Sequence, residues 1–147
     1  MQTFLPYSNF EASVKVLDWR RLGKQRVEAW QFLKVLRAGT ASGWARHPAV
    51  LMWRGFEEAL ELYKDLCIVE WVDRGYNNTM SLTAGNSKPM LPPWLGDDLF
   101  HASHQSSLLR KDSKHYGMHF SIPPDLPYQW PVLANSGKTY VLRTTNG

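Results

Sequence analysis

"AVLMWRGFEEALELYKDLCIVEWVDR", residues 49–74, is apolar nearly all round its middle, at Leu60, Leu62, Tyr63, Leu66, Cys67, Ile68, Val69 and Trp71. A helix that is hydrophobic on most sides has to be surrounded by other elements. The stretch therefore predicts one central buried helix, closed by Gly75, and a helical fold built around a single core. Trp53, Phe56, Tyr63 and Trp71 are expected to fill that core.

Working outward, Ser8-Asn9 is an N-cap signal ahead of "FEASVKVL", which predicts a helix over about 10–17. A longer helix follows over 19–38, with Gly39 as its stop. Residues 39–48 read as a loop. Residues 75–96, rich in Gly, Asn, Ser and Pro, read as a long ordered loop, a length that points to a functional surface. Asp97–Lys111 reads as the third main helix. A Pro-rich aromatic stretch, "IPPDLPYQWP", precedes a tail, "KTYVLRTT", with the pattern of a short strand. The expected fold is all-α, mostly helical, with three main helices and long ordered loops in one compact domain over 1–147.

The 147 residues are 44% hydrophobic and 20% charged, ordinary for a globular protein. Seven Trp, six Tyr and six Phe are not ordinary, and the net charge of +4 favours a polyanionic partner. One cysteine, Cys67, excludes an internal disulfide and any multi-cysteine metal site, and suits a reducing cytoplasm. The start, "MQTFLPYSNF", has neither the basic head nor the apolar run of a signal peptide. No apolar stretch reaches the roughly 18 residues of a membrane span. A cytoplasmic monomer with no membrane partner is expected.

The helix over 19–38 carries the charge. "DWRRLGKQRVEAW" places Arg20, Arg21, Lys24 and Arg26 within seven positions and adds one acid, Glu28. At 100° per residue, Leu22, Ala29, Leu33 and Leu36 share one side, while Arg20, Lys24, Glu28 and Gln31 line the other. A solvated face with a Lys24–Glu28 pair, worth about 0.2–0.5 kcal/mol, is the bland reading. Against it, Lys15 to Arg37 holds seven cations and only two acids, Asp18 and Glu28. Arg26 points towards the apolar side, so it has to reach an acid such as Asp18 or snorkel to the helix edge. A concentrated, mostly unpaired positive face is what phosphate binding asks for.

The third helix, "FHASHQSSLLRKDSKHYG", offers His101, His104, Arg110 and Lys111 beside several serines. Two histidines one turn apart do not make a metal site without a third ligand, from His47, His115, His119 or an acid, and no metal or other cofactor is expected. Hydroxyls, histidines and guanidinium groups on one helix suit phosphate and sugar contacts better. A polar surface helix with core-satisfied histidines stands beside that reading. Trp44, Tyr116, Phe120, Tyr128 and Trp130, among basic or proline neighbours, are candidates to stack on an exposed base at about 1–3 kcal/mol each. For Trp130, core filling is the competing role.

In order and kind these pieces resemble the pyrimidine-dimer DNA glycosylase family, to which the small phage endonuclease V belongs. "LDWRRLGKQRV" is similar to the family's basic helix, and "HPAVLMWRGFEEALELYKDLCIVEWVDRGY" to its Pro-led central helix. "SHQSSLLRKD" with "KHYG" is similar to its last helix and the turn after it. A group of small bacterial and phage proteins with RLGKQRVEA, GW-x-x-HP and LPPWLGD patterns is more similar still. The resemblance implies a compact helical protein that grips duplex DNA by its backbone, extrudes a nucleotide and cleaves its N-glycosidic bond. It further implies strand nicking through a Schiff base on the N-terminal amine, here that of Met1, supported by a glutamate directly after the helix arginine. An α-amine, with a pKa near 7.7–8.0, is partly unprotonated at neutral pH. Two positions depart from that pattern. Residue 2 is the bulky Gln2, and the residue after Arg20 is Arg21. Glu28 lies seven residues beyond Arg21, about 10 Å along the helix, so any reaction has a relocated centre.

The sequence thus predicts a DNA glycosylase acting on a damaged or modified base, a pyrimidine by resemblance, in double-stranded DNA. Glu28 and Met1 are its catalytic candidates. Arg20, Arg21, Lys24, Arg26, His47, His101, His104, Arg110 and Lys111 are the candidate nucleic-acid contacts. About six neutralised phosphates would make affinity fall on the order of a thousandfold between 50 and 200 mM salt. A DNA- or RNA-binding module without the reaction, and a protein-interaction domain with a merely basic helix, are the competing classes.

Overall fold

The computed structural model describes residues 2–38 and 43–145, the Trp44 side chain excepted. Gly39 and Trp44 as a stacking platform therefore lie outside the described residues, as does Met1. Helix α1 covers Phe10–Val16 and α2 covers Trp19–Ala38. Asn9 caps α1, its Oδ1 accepting the Ala12 N–H at 2.8 Å. A 3₁₀ turn at Gly43–Arg46 leads into the short α3, Pro48–Leu51, and α4 follows over Glu57–Asp73. The expected single helix over 49–74 is thus two. Gly55 adopts φ +85°, a left-handed conformation, and the chain turns there before α4 begins. Gly75, at φ +90°, ends α4 where the sequence places its stop.

The core forms where α2 and α1 lie against α4. Leu22, Ala29, Phe32 and Leu33 of α2 meet Ala59, Leu60, Tyr63 and Cys67 of α4, all essentially inaccessible. The apolar girdle of α4 is incomplete, since Val69 and Val72 are exposed and Trp71 is half-buried. Residues 76–93 form no regular element but are tied to α4. The Asp65 carboxylate accepts the Thr83 and Ala84 N–H groups, each at 2.9 Å, and the buried Lys64 donates to Thr83 Oγ1 at 2.6 Å.

Asp97 caps α5, Asp98–Lys111, by accepting the Leu99 and Phe100 N–H groups, and α6 follows over Ser113–Tyr116. The all-α expectation then needs correction. Strands β1, Tyr128–Leu133, and β2, Tyr140–Thr145, pair antiparallel from Tyr128↔Thr145 to Leu133↔Tyr140. Pro131 reads as a breaker, yet both strands of a two-stranded sheet are edges, where a missing N–H is tolerated. This hairpin packs on α5 and α3. The protein is mainly helical with one small sheet.

Residues 2–6 are extended and buried, which their position at the start of the chain did not suggest. Side chains from three helices take up their backbone groups. Gln25 of α2 accepts the Phe4 N–H at 2.8 Å and donates to the Gln2 carbonyl at 2.9 Å. Tyr63 of α4 donates to the Phe4 carbonyl at 2.8 Å. His104 Nδ1 of α5 accepts the Leu5 N–H at 2.9 Å, while His101 Nδ1 lies 2.7 Å from the Leu5 carbonyl.

Candidate active site

The N-terminal strand, the middle of α2 and the hairpin enclose a cleft of about 500 Å³. Gln2, Gln25 and Glu28 line its inner side, Arg21, Lys24 and Lys111 supply positive charge, and His47, Tyr128 and Trp130 form the aromatic wall. A larger groove, about 830 Å³, runs between α2 and residues 79–83, but no acid lines it. The smaller cleft, which holds Glu28, is the candidate site.

Glu28 is not the partner of Lys24 that helix spacing allows. Its Oε2 accepts the Gln2 N–H at 3.4 Å and a Gln25 side-chain N–H at 3.1 Å. Burial raises its pKa above the ordinary carboxylate value, while the N-terminal charge, the Gln2 N–H, Lys24 and Gln25 pull it down. A carboxyl that is half-buried, hydrogen-bonded and pushed towards neutrality is suited to proton transfer.

Tyr128 and Trp130 stack at 5.5 Å between ring centroids, and the Trp130 indole N–H is fixed by Thr145 Oγ1 at 3.0 Å. His47 meets the Trp130 ring edge-on at 5.9 Å, and burial lowers its pKa. Its Nδ1 also caps α3 by accepting the Ala49 N–H at 3.1 Å. On the other side of Lys24 and Glu28 lies a shallower depression of about 440 Å³, walled by Trp19, Arg20 and Trp71. Arg20 covers the exposed Trp19 at 5.3 Å. Gly23 allows Trp71 to lie against α2, since a Cβ there would come 3.0 Å from the indole ring.

The remaining expectations divide. Arg20, Arg21, Lys24, His47 and Lys111 border the two depressions around Glu28. Arg21 is half committed to Asp18, 3.2 Å away. Arg26 borders neither: it meets no acid, stacks on Trp71 at 4.4 Å and donates to Asn78 Oδ1 at 2.6 Å. Arg110 is spent on the Pro124 and Leu126 carbonyls, at 2.6 and 3.0 Å. His101 and His104 are buried outside the cleft and hold Leu5 from both sides. His101 Nε2 accepts the Gly96 N–H at 2.9 Å, so its proton is on Nδ1 and donates to Leu5. Burial lowers the pKa of both rings, that of His104 to about 3. His101 and His104 are thus buried parts of the frame, whereas Arg26 is partly buried and Arg110 stays exposed while bracing the chain around Pro124 and Leu126. Tyr116 and Phe120 are core residues, not stacking platforms. Gln25 was missed. The only signal for it in the sequence is a polar residue on the buried side of α2, three before Glu28. Among the described residues, no group of three or more His, Cys, Asp or Glu stands close enough to hold a metal ion.

The helical frame that carries this cleft has a counterpart in sequence. The profile described as pyrimidine dimer DNA glycosylase matches residues 1–84, and the chain belongs to that family. Comparison with curated proteins and with solved structures returned no match. The matched segment holds Gln2, Arg21, Lys24, Gln25, Glu28 and His47, whereas Lys111, Tyr128, Trp130 and Thr145 lie beyond it. Membership makes the chain's chemistry that of a DNA glycosylase, with DNA as its substrate. No helix is long and apolar enough to cross a membrane among the described residues.

Proposed function

We propose that this protein excises a damaged or modified pyrimidine from duplex DNA, with Glu28 as the proton-transfer group. The observation that carries the reading is the Glu28 carboxyl, raised in pKa by burial, inside a cleft rimmed by Arg21, Lys24 and Lys111. Those cations take the phosphates flanking an extruded nucleotide, and Tyr128 and Trp130 stack on its base. In the hydrolytic form, Glu28 takes a proton from water as the oxygen bonds to the sugar C1′. The C1′–N bond breaks, and the base leaves with the electron pair. In the family's form, the N-terminal amine attacks C1′ and gives a proton to Glu28 as the base leaves with the C1′–N electron pair. Breaking the C1′–O4′ bond, with that proton passed to O4′, then forms the Schiff base that permits strand nicking. Gln2's N–H on Glu28 Oε2 brings the start of the chain to the acid and so supports the amine route.

The test is Glu28→Gln on duplexes carrying a panel of damaged or modified pyrimidines, scored separately for base release and nicking. Base release is expected to fall by about 10²–10⁴, the usual contribution of such a group, with duplex affinity held or improved. Borohydride trapping separates the two routes, since only the amine route leaves a reducible covalent adduct. No base release from any substrate, with wild type and Glu28→Gln binding alike, would make the protein a DNA-binding module and Glu28 a counter-charge.

A further inference from the structure

Gln25 is 1% exposed, and its amide makes three hydrogen bonds within one small volume, with the Tyr63 hydroxyl close beside them. Oε1 receives the Phe4 N–H at 2.8 Å and lies 2.8 Å from the Tyr63 hydroxyl. Nε2 gives one hydrogen to the Gln2 carbonyl at 2.9 Å and the other to Glu28 Oε2 at 3.1 Å. The orientation is forced. A flipped amide would face donor to donor at Phe4 and acceptor to acceptor at both Gln2 and Glu28.

We propose that Gln25 is the positioning residue of the site, fixing the Glu28 carboxylate and the N-terminal strand to one rigid frame. The inference rests on the reading of Glu28 as the proton-transfer group. Holding the strand alone needs only the contacts to Phe4 and Gln2. The third, to Glu28, does nothing for the strand and directs the acid instead. With Oε2 occupied by Gln25 and Gln2, the Glu28 oxygen without a hydrogen bond among the described residues is Oε1. That oxygen is left for water or the sugar. An amide is the group required here, since it donates to the carboxylate and the carbonyl while accepting from the N–H, and carries no charge to disturb the acid.

The experiment is Gln25→Met, which keeps length and volume but removes all three hydrogen bonds, read in three ways. With base release as the assay, kcat is expected to fall ten- to a hundredfold while KM and duplex Kd stay within twofold. The acid limb of the pH–kcat profile moves to higher pH, because Glu28 loses a donor that favours its ionised form. Carbon-13 titration of the Glu28 carboxyl in the full chain shows the same upward move without any substrate. Gln25→Asn is the second variant should Gln25→Met not fold. Its amide is one methylene short of Glu28, so Glu28 again loses the donor and moves up. A folded variant in which Glu28 titrates as in wild type overturns the inference. Wild-type protein without base release overturns the excision reading instead, and the titration still decides the role of Gln25.

Discussion

Gln2 Nε2 donates to the Tyr128 hydroxyl at 2.7 Å, joining the second residue of the chain to a hairpin 126 positions away. The same hydroxyl bonds Ser107 on α5. The cleft is therefore closed by an element outside the segment that defines the family, and its aromatic wall is separable from its acid.

Trp130 tests that separation. Trp130→Ala is expected to lower affinity for a substrate duplex by about 1–3 kcal/mol, the worth of one base stack. Trp130→Phe keeps a stacking face and should recover most of it. Competition binding against an undamaged duplex is the measurement, and equal affinity of all three proteins for substrate would remove the hairpin from the site.

The structure also resizes the electrostatic grip. Arg26 is committed to Trp71 and Asn78, and Arg110 Nη1 to two backbone carbonyls, so Arg20, Arg21, Lys24 and Lys111, which line the depressions around Glu28, are the cations counted for phosphate. Four contacts at about 0.9 each give a log–log salt slope near −3.6, roughly a hundredfold loss between 50 and 200 mM salt. That is shallower than the sequence alone implies. Lys24→Ala should flatten the slope by about 1, and a slope that ignores salt would exclude phosphate binding by this face.

Arg26 should behave in the opposite way. Its stack on Trp71 and its bond to Asn78 tie α2 to α4 and the loop behind it. Arg26→Ala is expected to lower stability by about 1–2 kcal/mol through the lost cation–π and hydrogen bonds, while the salt slope stays at the wild-type value. Thermal melts beside the binding titration distinguish the two outcomes.

Much of this was legible in the sequence because it depends on local rules. The helical period placed α2 and its apolar face, Asn9 and Asp97 announced their helices, and the charge imbalance marked the cationic side that borders the cleft. What stayed hidden depends on distant partners. The break at Gly55 hides inside a continuous apolar run. The strand at Tyr128–Leu133 hides behind Pro131, harmless only because the sheet has no third strand. His101 and His104 carry the signs of a surface site, and only the burial of residues 2–6 shows that they serve Leu5. Glu28 was visible as the odd acid in a basic helix, but its companion Gln25 was not, since a buried amide leaves no periodic signature.

The histidine pair predicts a pH dependence of stability. His104 accepts the Leu5 N–H through Nδ1, so its proton is on Nε2, a buried atom with no partner among the described residues. Its folded pKa, about 3, lies below the ordinary value of 6.5, and that of His101 is lowered too. Between those values the unfolded chain binds more protons, so stability is fully present above pH 6.5 and is lost as pH falls towards 3. The melting temperature should drop between pH 7 and pH 5. In His104→Gln, whose amide oxygen can still accept from Leu5, the drop should be smaller, and an identical drop in both proteins would contradict the assignment.

The clamp on Leu5 also orders events in time. Residues 2–5 leave the ribosome before their partners His101, His104 and Tyr128, which follow by 96, 99 and 126 positions. During synthesis the opening segment has to wait, unpaired, until α5 and the hairpin emerge, and contacts of such long sequence separation close slowly. The cleft is consequently among the last parts of the molecule to exist. A nascent chain that already has α1, α2 and α4 carries the cationic face before it has the aromatic wall, so the charge of the cleft precedes its shape.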